Sequence, residues 1–341
     1  SRARQIVVVG DEKQLPPTSF FEQQIEVNED KESAGFQVSD LQSVLGLCSA
    51  QNMGPLIDGR TPMLQWHYRS RHSSLITVSN HEFYDNRLFI VPNPVGSGTD
   101  LGLRFHHRDG GYFDRGKSGT NHAEAVAIAD AVMKHAEKHP GKTLGVGAFS
   151  VRQRNAILDQ VELRRRERVE LENFFSASKF EPFFVKNLEN IQGDERDVIF
   201  ISVGYGKNEE GRMFMNFGPL NNEGGERRLN VLITRAKERC EVFSSITADD
   251  IDLSRTQARG VIALKTFLSY AQTGNLDIAM PTGRDFDSEF ERQVAKELTA
   301  SGCRVEPQVG EAGFFIDLAI VDPDHPGRFL LGIECDGATY H

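Results

Sequence analysis

Four acidic residues near the C-terminal end have the types and places that metal-assisted phosphodiester chemistry needs. Glu291 falls on an expected helix, Ser288–Thr299, whose apolar Phe290, Val294 and Leu298 recur every four residues. Asp317 interrupts an apolar strand, Phe314–Val321, and Glu334 and Asp336 flank Cys335 at the end of the next strand, 329–335. An ionised carboxylate on a buried strand is costly unless it is paired or bound to a cation. Acids from two adjacent strand ends, joined by a helix Glu, form the oxygen-rich site that Mg²⁺ prefers. Such a site can activate water and stabilise an in-line displacement at phosphorus. Two other readings stand beside this one: a satisfied surface cluster without metal, and a metal site without catalysis.

Phosphate chemistry has one literal match. Gly111 to Ser118 fits the pattern Gly-x4-Gly-Lys-Ser/Thr. A working phosphate loop needs a buried strand directly before its first glycine and a helix opening at the lysine, so that backbone N–H groups face the phosphates. Residues 104–109 are too polar for a central strand, and helical signals begin only near Asn121. The match therefore reads as a loop. Val7–Glu12 likewise imitates an apolar strand ending in the Asp-Glu pair of a Mg²⁺ site.

The elements around these residues imply a parallel sheet. Ile6–Val9 is a β-branched run of the kind buried on both faces. Further strands are expected at Leu144–Phe149, Val198–Val203 and Cys240–Phe243, and helices at 121–138, 151–174 and 226–238. That alternation is the signature of βαβ units. An amphipathic helix follows around Val261–Tyr270, then a loose stretch, 272–283, that reads as a linker. Arg164, Arg165, Arg166 and Arg168 form a basic run with Glu162, Glu167 and Glu170 interleaved, the pattern of a solvated helix face.

Composition narrows the class. The 341 residues are 39% hydrophobic and 26% charged, ordinary globular values. The net charge is −10, and it is uneven: residues 281–341 hold 5 basic and 12 acidic residues. A basic groove can still sit on an acidic protein, so nucleic acid is not excluded. The four cysteines form no Cys-x-x-Cys pair, which argues against zinc and disulfide frameworks and favours a reducing, cytoplasmic setting. No signal peptide or membrane-length apolar run is seen, so no membrane partner is expected.

Four stretches resemble motifs of the superfamily 1 helicases, in the family's order. Gly10-Asp11-Glu12-Lys13-Gln14-Leu15-Pro16-Pro17 resembles motif III, and Leu64-Gln65-Trp66-His67-Tyr68-Arg69-Ser70 motif IV. Asn190 to Ile199, with Gln192, Gly193, Asp194 and Glu195, resembles motif V; Arg227 to Lys237, with Asn230, Thr234 and Arg235, resembles motif VI. The resemblance covers roughly residues 5–245 and points to the branch that includes the nonsense-mediated-decay helicase. It implies two RecA-like domains with ATP between them. The expected division is the end of the first domain at 1–21, a connection or insertion at 22–60, and the second domain at 61–248. A helix and linker at 249–283 and an incomplete endonuclease-like unit at 284–341 follow. The phosphate loop and Asp-Glu box of the family would then precede Ser1, and this chain by itself would not hydrolyse ATP.

The resemblance also implies roles. Charge builds on the γ-phosphate oxygens during phosphoryl transfer, and a planar guanidinium from the facing domain stabilises it. Arg235, expected to follow a strand-like run, resembles the arginine finger, and Arg69 a second phosphate contact. Tyr68 resembles the residue that stacks on adenine, and Gln14 the group that holds the γ-phosphate or its water. Gln192 and Glu195 resemble contacts to nucleic acid or ribose. Trp66 and His67 are expected to pack. Thr234, Ser202, Arg71 and Ser150 are candidate contacts to a single strand.

Residues 286–341 resemble the PD-(D/E)XK nuclease fold, near its very-short-patch-repair branch. The matching stretches run from Ser288 to Glu291, Val305 to Gly310, Ile316 to Leu318, and Ile333 to Gly337 with Tyr340 and His341. In this family Asp317, Glu334 and Asp336 would bind Mg²⁺. Asp336 stands where the common pattern has Lys, and His341 is the candidate to replace it. The function these resemblances imply is an ATP-dependent DNA helicase or translocase with a metal-dependent nuclease. The alternatives are an ATP-gated nucleic-acid clamp, or an RNA helicase, whose nuclease-like unit only binds.

Overall fold

The computed structural model describes residues 7–15, 45, 48, 63–90, 100–276, 286–311, 314–323 and 329–335. In chain order the elements are α1 (Thr77–Phe83), β1 (Gly102–His107), α2 (His122–Lys138), β2 (Leu144–Ala148) and α3 (Val151–Glu167). Then come β3 (Phe184–Asn187), β4 (Arg196–Ser202), α4 (Gly225–Ile233), β5 (Ala236–Ser244) and α5 (Arg259–Thr273). A second set follows: α6 (Glu289–Ala300), β6 (Val305–Glu311), β7 (Phe314–Val321) and β8 (Phe329–Ile333).

The first five strands form one parallel sheet in the order β1-β5-β4-β2-β3. Side chains alternate across it, as strand geometry requires. Ile199 and Ile201 of β4 pack on the face carrying α4 and α5, with Leu229, Leu232 and Leu264. Val198 and Phe200 pack on the opposite face with Ile128, Val132, Ile157 and Val161 of α2 and α3. Gly147 of β2 is a packing necessity: a Cβ there would lie 2.3 Å from Leu232 Cδ1.

The helices begin where the sequence provides caps. Asn121 accepts from the Glu124 N–H at the start of α2, and Ser150 accepts from the Gln153 N–H at the start of α3. The basic run lies at the end of α3, with Arg168 just past its last residue, and it is paired within the surface: Arg164 with Asp130, Arg165 with Glu162 and Glu172, and Arg168 with Glu137 and Glu170.

Several expectations need correction. Val7–Gly10 forms no strand, and Val7 and Val9 are exposed; among the described residues no strand lies beside them to accept their backbone bonds. The expected helix 226–238 stops at Ile233 because β5 begins at Ala236, so Arg235 follows a helix rather than a strand. The helix expected to reach 174 ends at Glu167 and continues as a 3₁₀ turn, Val169–Phe175. Three strands escaped the sequence pattern, β1, β3 and β6. β1 is an edge strand and therefore tolerates polar residues such as Arg104 and His106; β3 is only four residues long. The connection 22–60 lies outside the described residues except for Leu45 and Cys48.

The smaller set is an antiparallel sheet in the order β6-β7-β8 with α6 beside it. Asp317 sits on the central strand β7.

Candidate functional site

The amino ends of β4 and β5 gather most of the residues singled out for nucleotide chemistry. Arg69 reaches them from the 63–71 segment, which is tied to β5 by the bond from Arg71 N–H to the Lys237 carbonyl. Its Nε donates to Glu195 Oε2 at 2.8 Å and its Nη1 to the Thr234 carbonyl at 3.2 Å. Arg235 lies in the two-residue junction between α4 and β5 and is 2% exposed. The bonds it makes are to neutral oxygens. Nε donates to the Val231 carbonyl at 2.7 Å, and Nη2 to Gln14 Oε1 and to Thr234 Oγ1 at 3.2 Å each. Gln192 Nε2 donates to the Leu15 carbonyl at 2.8 Å, so motif V also grips the segment that bears Gln14.

Charge is unbalanced at this place. Burial, and then repulsion by Arg69, lower the Arg235 guanidinium to about 10, which leaves it a cation at neutral pH. Arg69 holds the Glu195 carboxyl below the usual carboxylate range, first by its hydrogen bond and then by its charge. Glu195 also faces Lys237 at 3.5 Å. Arg69 and Lys237 both pair with Glu195, Lys237 has a further partner in Glu181 at 2.9 Å, and Arg235 is acted on by the Glu195 and Asp194 charges without forming an ion pair to either among the described residues. A buried cation matched only by carbonyl, amide and hydroxyl oxygens is poorly compensated, and an anion would relieve it.

Tyr68 projects beside this cluster with 88% of its surface exposed, a free aromatic face rather than part of the core. His67 packs as expected: its Nε2 accepts from the Ser70 N–H, and burial, with Arg69, lowers it to about 4. Trp66 does not pack as expected. It is 69% exposed and touches Phe89 at 5.4 Å between ring centroids.

The Gly111–Ser118 match is a turn-rich loop. No helix opens at Lys117; α2 begins at His122. Asp114 organises the loop by accepting from the Ser118 N–H and hydroxyl, and Lys117 lies 3.9 Å from Asp114. Of the candidate strand contacts, Ser202 is buried and donates to Glu124 at 2.9 Å, while Thr234 Oγ1 bonds back into α4. Ser150 caps α3, and Arg71 pairs with Glu238 at 2.6 Å. Ser202 and Thr234 are withdrawn from any strand by their burial.

A carboxylate that the sequence did not disclose sits at the other edge of the sheet. Glu124 is fully buried and accepts four bonds: Gly204 N–H at 2.7 Å, Ser202 hydroxyl at 2.9 Å, Ser245 N–H at 2.9 Å and Asn121 Nδ2 at 3.1 Å. Burial pushes it up to about 7, against the pull of those donors. A signal that could have found it is the Asn-x-x-Glu spacing at 121–124, the pattern of a helix start.

In the smaller unit, Asp317 Oδ2 accepts from the Cys335 N–H at 2.7 Å. The β7/β8 register pairs Leu318 with Ile333, and one more step sets Glu334 opposite Asp317. Glu291 is committed elsewhere: Oε1 accepts from the Ser288 hydroxyl at 2.7 Å, and Oε2 from the Asp287 N–H at 2.9 Å and Gln308 Nε2 at 3.0 Å. Gln308 is buried, adopts φ of +49°, and stands between residues of β6 that face Leu318 and Ile316, hence across from Asp317. Among the described residues no group of three or more His, Cys, Asp or Glu comes together as a metal cluster. Asp336 and His341 lie outside the described residues. Asp317 and Glu334 fit the donor chemistry of Mg²⁺, but the described residues do not complete a three-ligand site.

These sites can be set against known proteins. The family AAA_12, an AAA domain, matches residues 47–247. The chain belongs to that family. A second family, the endonuclease-like REase_MTES_1575, matches residues 290–341 of the same chain. The AAA-domain chain is homologous to the uncharacterised ATP-dependent helicase MG140 of Mycoplasma genitalium, 30% identical over 276 residues that cover 80% of this chain and 24% of the relative. Its homologue in Mycoplasma pneumoniae is 29% identical over 278 residues, with the same coverage. The chain thus spans about a quarter of the length of these relatives. A solved structure, the C-terminal domain of a possible DNA helicase from Lactobacillus plantarum WCFS1, aligns at 12% identity over 52% of this chain and 86% of that one, with a TM-score of 0.30. The fold is a RecA-like parallel α/β sheet followed by a small antiparallel unit. No helix among the described residues is long and apolar enough to cross a membrane.

Proposed function

We propose that the chain forms the second motor domain of an ATP-dependent superfamily 1 DNA helicase or translocase, and that residues 284–341 belong to an attached metal-dependent nuclease unit. The observation that carries the motor reading is the buried Arg235, which is close enough to Arg69 to be repelled by it and whose hydrogen bonds all go to neutral oxygens. Polyphosphate is the anion that suits two adjacent planar guanidiniums.

In this reading residues 1–21 end the first RecA-like domain and 61–248 form the second. Arg235 would leave the Gln14 oxygen for phosphate oxygens, where its fixed charge stabilises the charge that develops in transfer. Arg69 supplies a second fork, oriented by Glu195. Gln14 and Gln192 hold the motif III segment against the cluster, and Tyr68 offers its exposed ring to the base. ATP, when bound, supplies the phosphoryl group.

In the nuclease unit Asp317 and Glu334 would hold a divalent cation, which when bound supplies a Lewis acid beside the scissile phosphate. One observation favours a second reading, in which this unit binds without cutting. The Asp317 carboxylate is already engaged by a backbone N–H, and Glu291 by its own helix cap and Gln308.

The test is ATP hydrolysis by the complete helicase with single-stranded DNA and with RNA, and incubation of DNA with Mg²⁺ or Mn²⁺. Stronger stimulation by DNA, together with cleavage that Asp317→Ala abolishes, supports the reading. Stimulation by RNA alone, or DNA left uncut under both metals, contradicts the corresponding half.

A further inference from the structure

The Gln14 segment is held by a relay of side chains that begins on α1. Ser79 Oγ, on α1, donates to Asn230 Oδ1 at 2.5 Å. Asn230 Nδ2, on α4, donates to the Lys13 carbonyl at 2.9 Å and to the Tyr84 hydroxyl at 3.1 Å. Tyr84 Oη donates to Asp11 Oδ2 at 2.6 Å, and that oxygen also accepts from Gln14 Nε2 at 2.8 Å. Gln14 Oε1 then accepts from Arg235 Nη2.

Each polarity in the relay is forced by its neighbour. Asn230 is fully buried, and the Lys13 carbonyl beside it can only accept. Its amide nitrogen must therefore face Lys13 and Tyr84, which leaves its oxygen to accept from the Ser79 hydroxyl. With its oxygen accepting from Asn230, Tyr84 gives its proton to Asp11. Asp11, an acceptor only when ionised, takes the amide nitrogen of Gln14, and the Gln14 oxygen is left for the guanidinium. Tyr84 itself is set in place by a tight turn, with Asp85 and Asn86 at φ of +52° and +54°. Asn80 pins that turn by bonds to both the N–H and the carbonyl of Leu88.

We infer that Tyr84 and Asn230 are positioning residues for the nucleotide chemistry: they clasp the motif III segment onto the AAA domain and fix which end of the Gln14 amide meets Arg235. This rests on the nucleotide reading above. When Arg235 turns to phosphate, Gln14 loses one bond while Asp11 and Tyr84 keep its amide in register. The clasp thus lets the sensor group switch partners without the segment leaving.

The experiment uses Tyr84→Phe, which removes the hydroxyl and keeps the ring, and reads two quantities. The first needs no nucleotide. Amide exchange at Lys13 and Gln14 should quicken by about tenfold, with β4 and β5 unchanged. The second is ATP hydrolysis by the complete helicase. Tyr84→Phe and Asp11→Asn should each lower kcat by about tenfold with KM for ATP nearly unchanged, and the double variant should fall no further. Unchanged exchange at Lys13 and Gln14, or losses that multiply in the double variant, would overturn the clasp. Arg235→Ala with full hydrolysis would overturn the nucleotide reading instead, and the exchange result would still decide the clasp.

Discussion

The two edges of the five-stranded sheet both bury a charge, and they treat it in opposite ways. At the amino edge Arg235 is surrounded by neutral oxygens and repelled by Arg69. At the carboxyl edge Glu124 has four donors aimed at its two oxygens, two of them backbone N–H groups. Burial alone therefore does not mark a functional group. The Glu124 carboxyl has its hydrogen bonds met by the fold, although burial favours its neutral form, and it ties α2 to the ends of β4 and β5, so it reads as structural. The guanidinium is left wanting an anion, so it reads as a site.

The comparison breaks most readily at Glu124. At pH 5, Glu124→Ala leaves four donors buried without an acceptor and should cost roughly 3–5 kcal/mol in urea denaturation. A loss below about 1 kcal/mol would mean that the carboxyl edge is no better satisfied than the amino edge.

The pH dependence sharpens the same point. Since burial raises the Glu124 carboxyl from its ordinary 4.5 to about 7, the folded state keeps the proton that the unfolded state has released. Its contribution to stability is full below about 4.5 and is lost as pH rises through about 7, on the order of 3 kcal/mol. The stability curve of Glu124→Gln should lack that decline; parallel curves would contradict it.

A third carboxylate extends the scale downward. Asp317 accepts from the Cys335 N–H, so Asp317→Asn, which keeps an acceptor, should change stability by less than about 1 kcal/mol while removing metal-dependent cleavage. Loss of the fold would assign Asp317 to structure. The smallest effect belongs to the exposed pairs of α3. Arg165→Ala should cost under about 1 kcal/mol and leave nucleic-acid affinity unaltered; a weakened affinity would make the basic run an interface after all.

Much of the sheet was legible because its inner strands and helices carry strong periodic signals. The helical signals beginning near Asn121 marked the start of α2 correctly, and β2, β4 and β7 are apolar enough to read directly. β1 was hidden because an edge strand accepts polar residues. The Ile6–Val9 run misled because a β-branched run becomes a strand only beside partner strands. At the site, the motif resemblance singled out Arg69, Glu195, Gln14 and Arg235, and the structure pairs Arg69 with Glu195 and Arg235 with Gln14. The Glu124 network and the Tyr84–Asn230 clasp were invisible because each joins residues more than 70 positions apart, and neither Glu124 nor Tyr84 lies in a recognised motif.

The central claim is that Arg235 is buried for an anion. The direct measurement is the ATP hydrolysis rate of the complete helicase carrying Arg235→Ala, alongside its melting temperature. The expected result is a fall of about a thousandfold or more with the melting temperature nearly unchanged, because the lost group was a poorly compensated cation. A rate within about tenfold of the parent in a folded variant would contradict the claim.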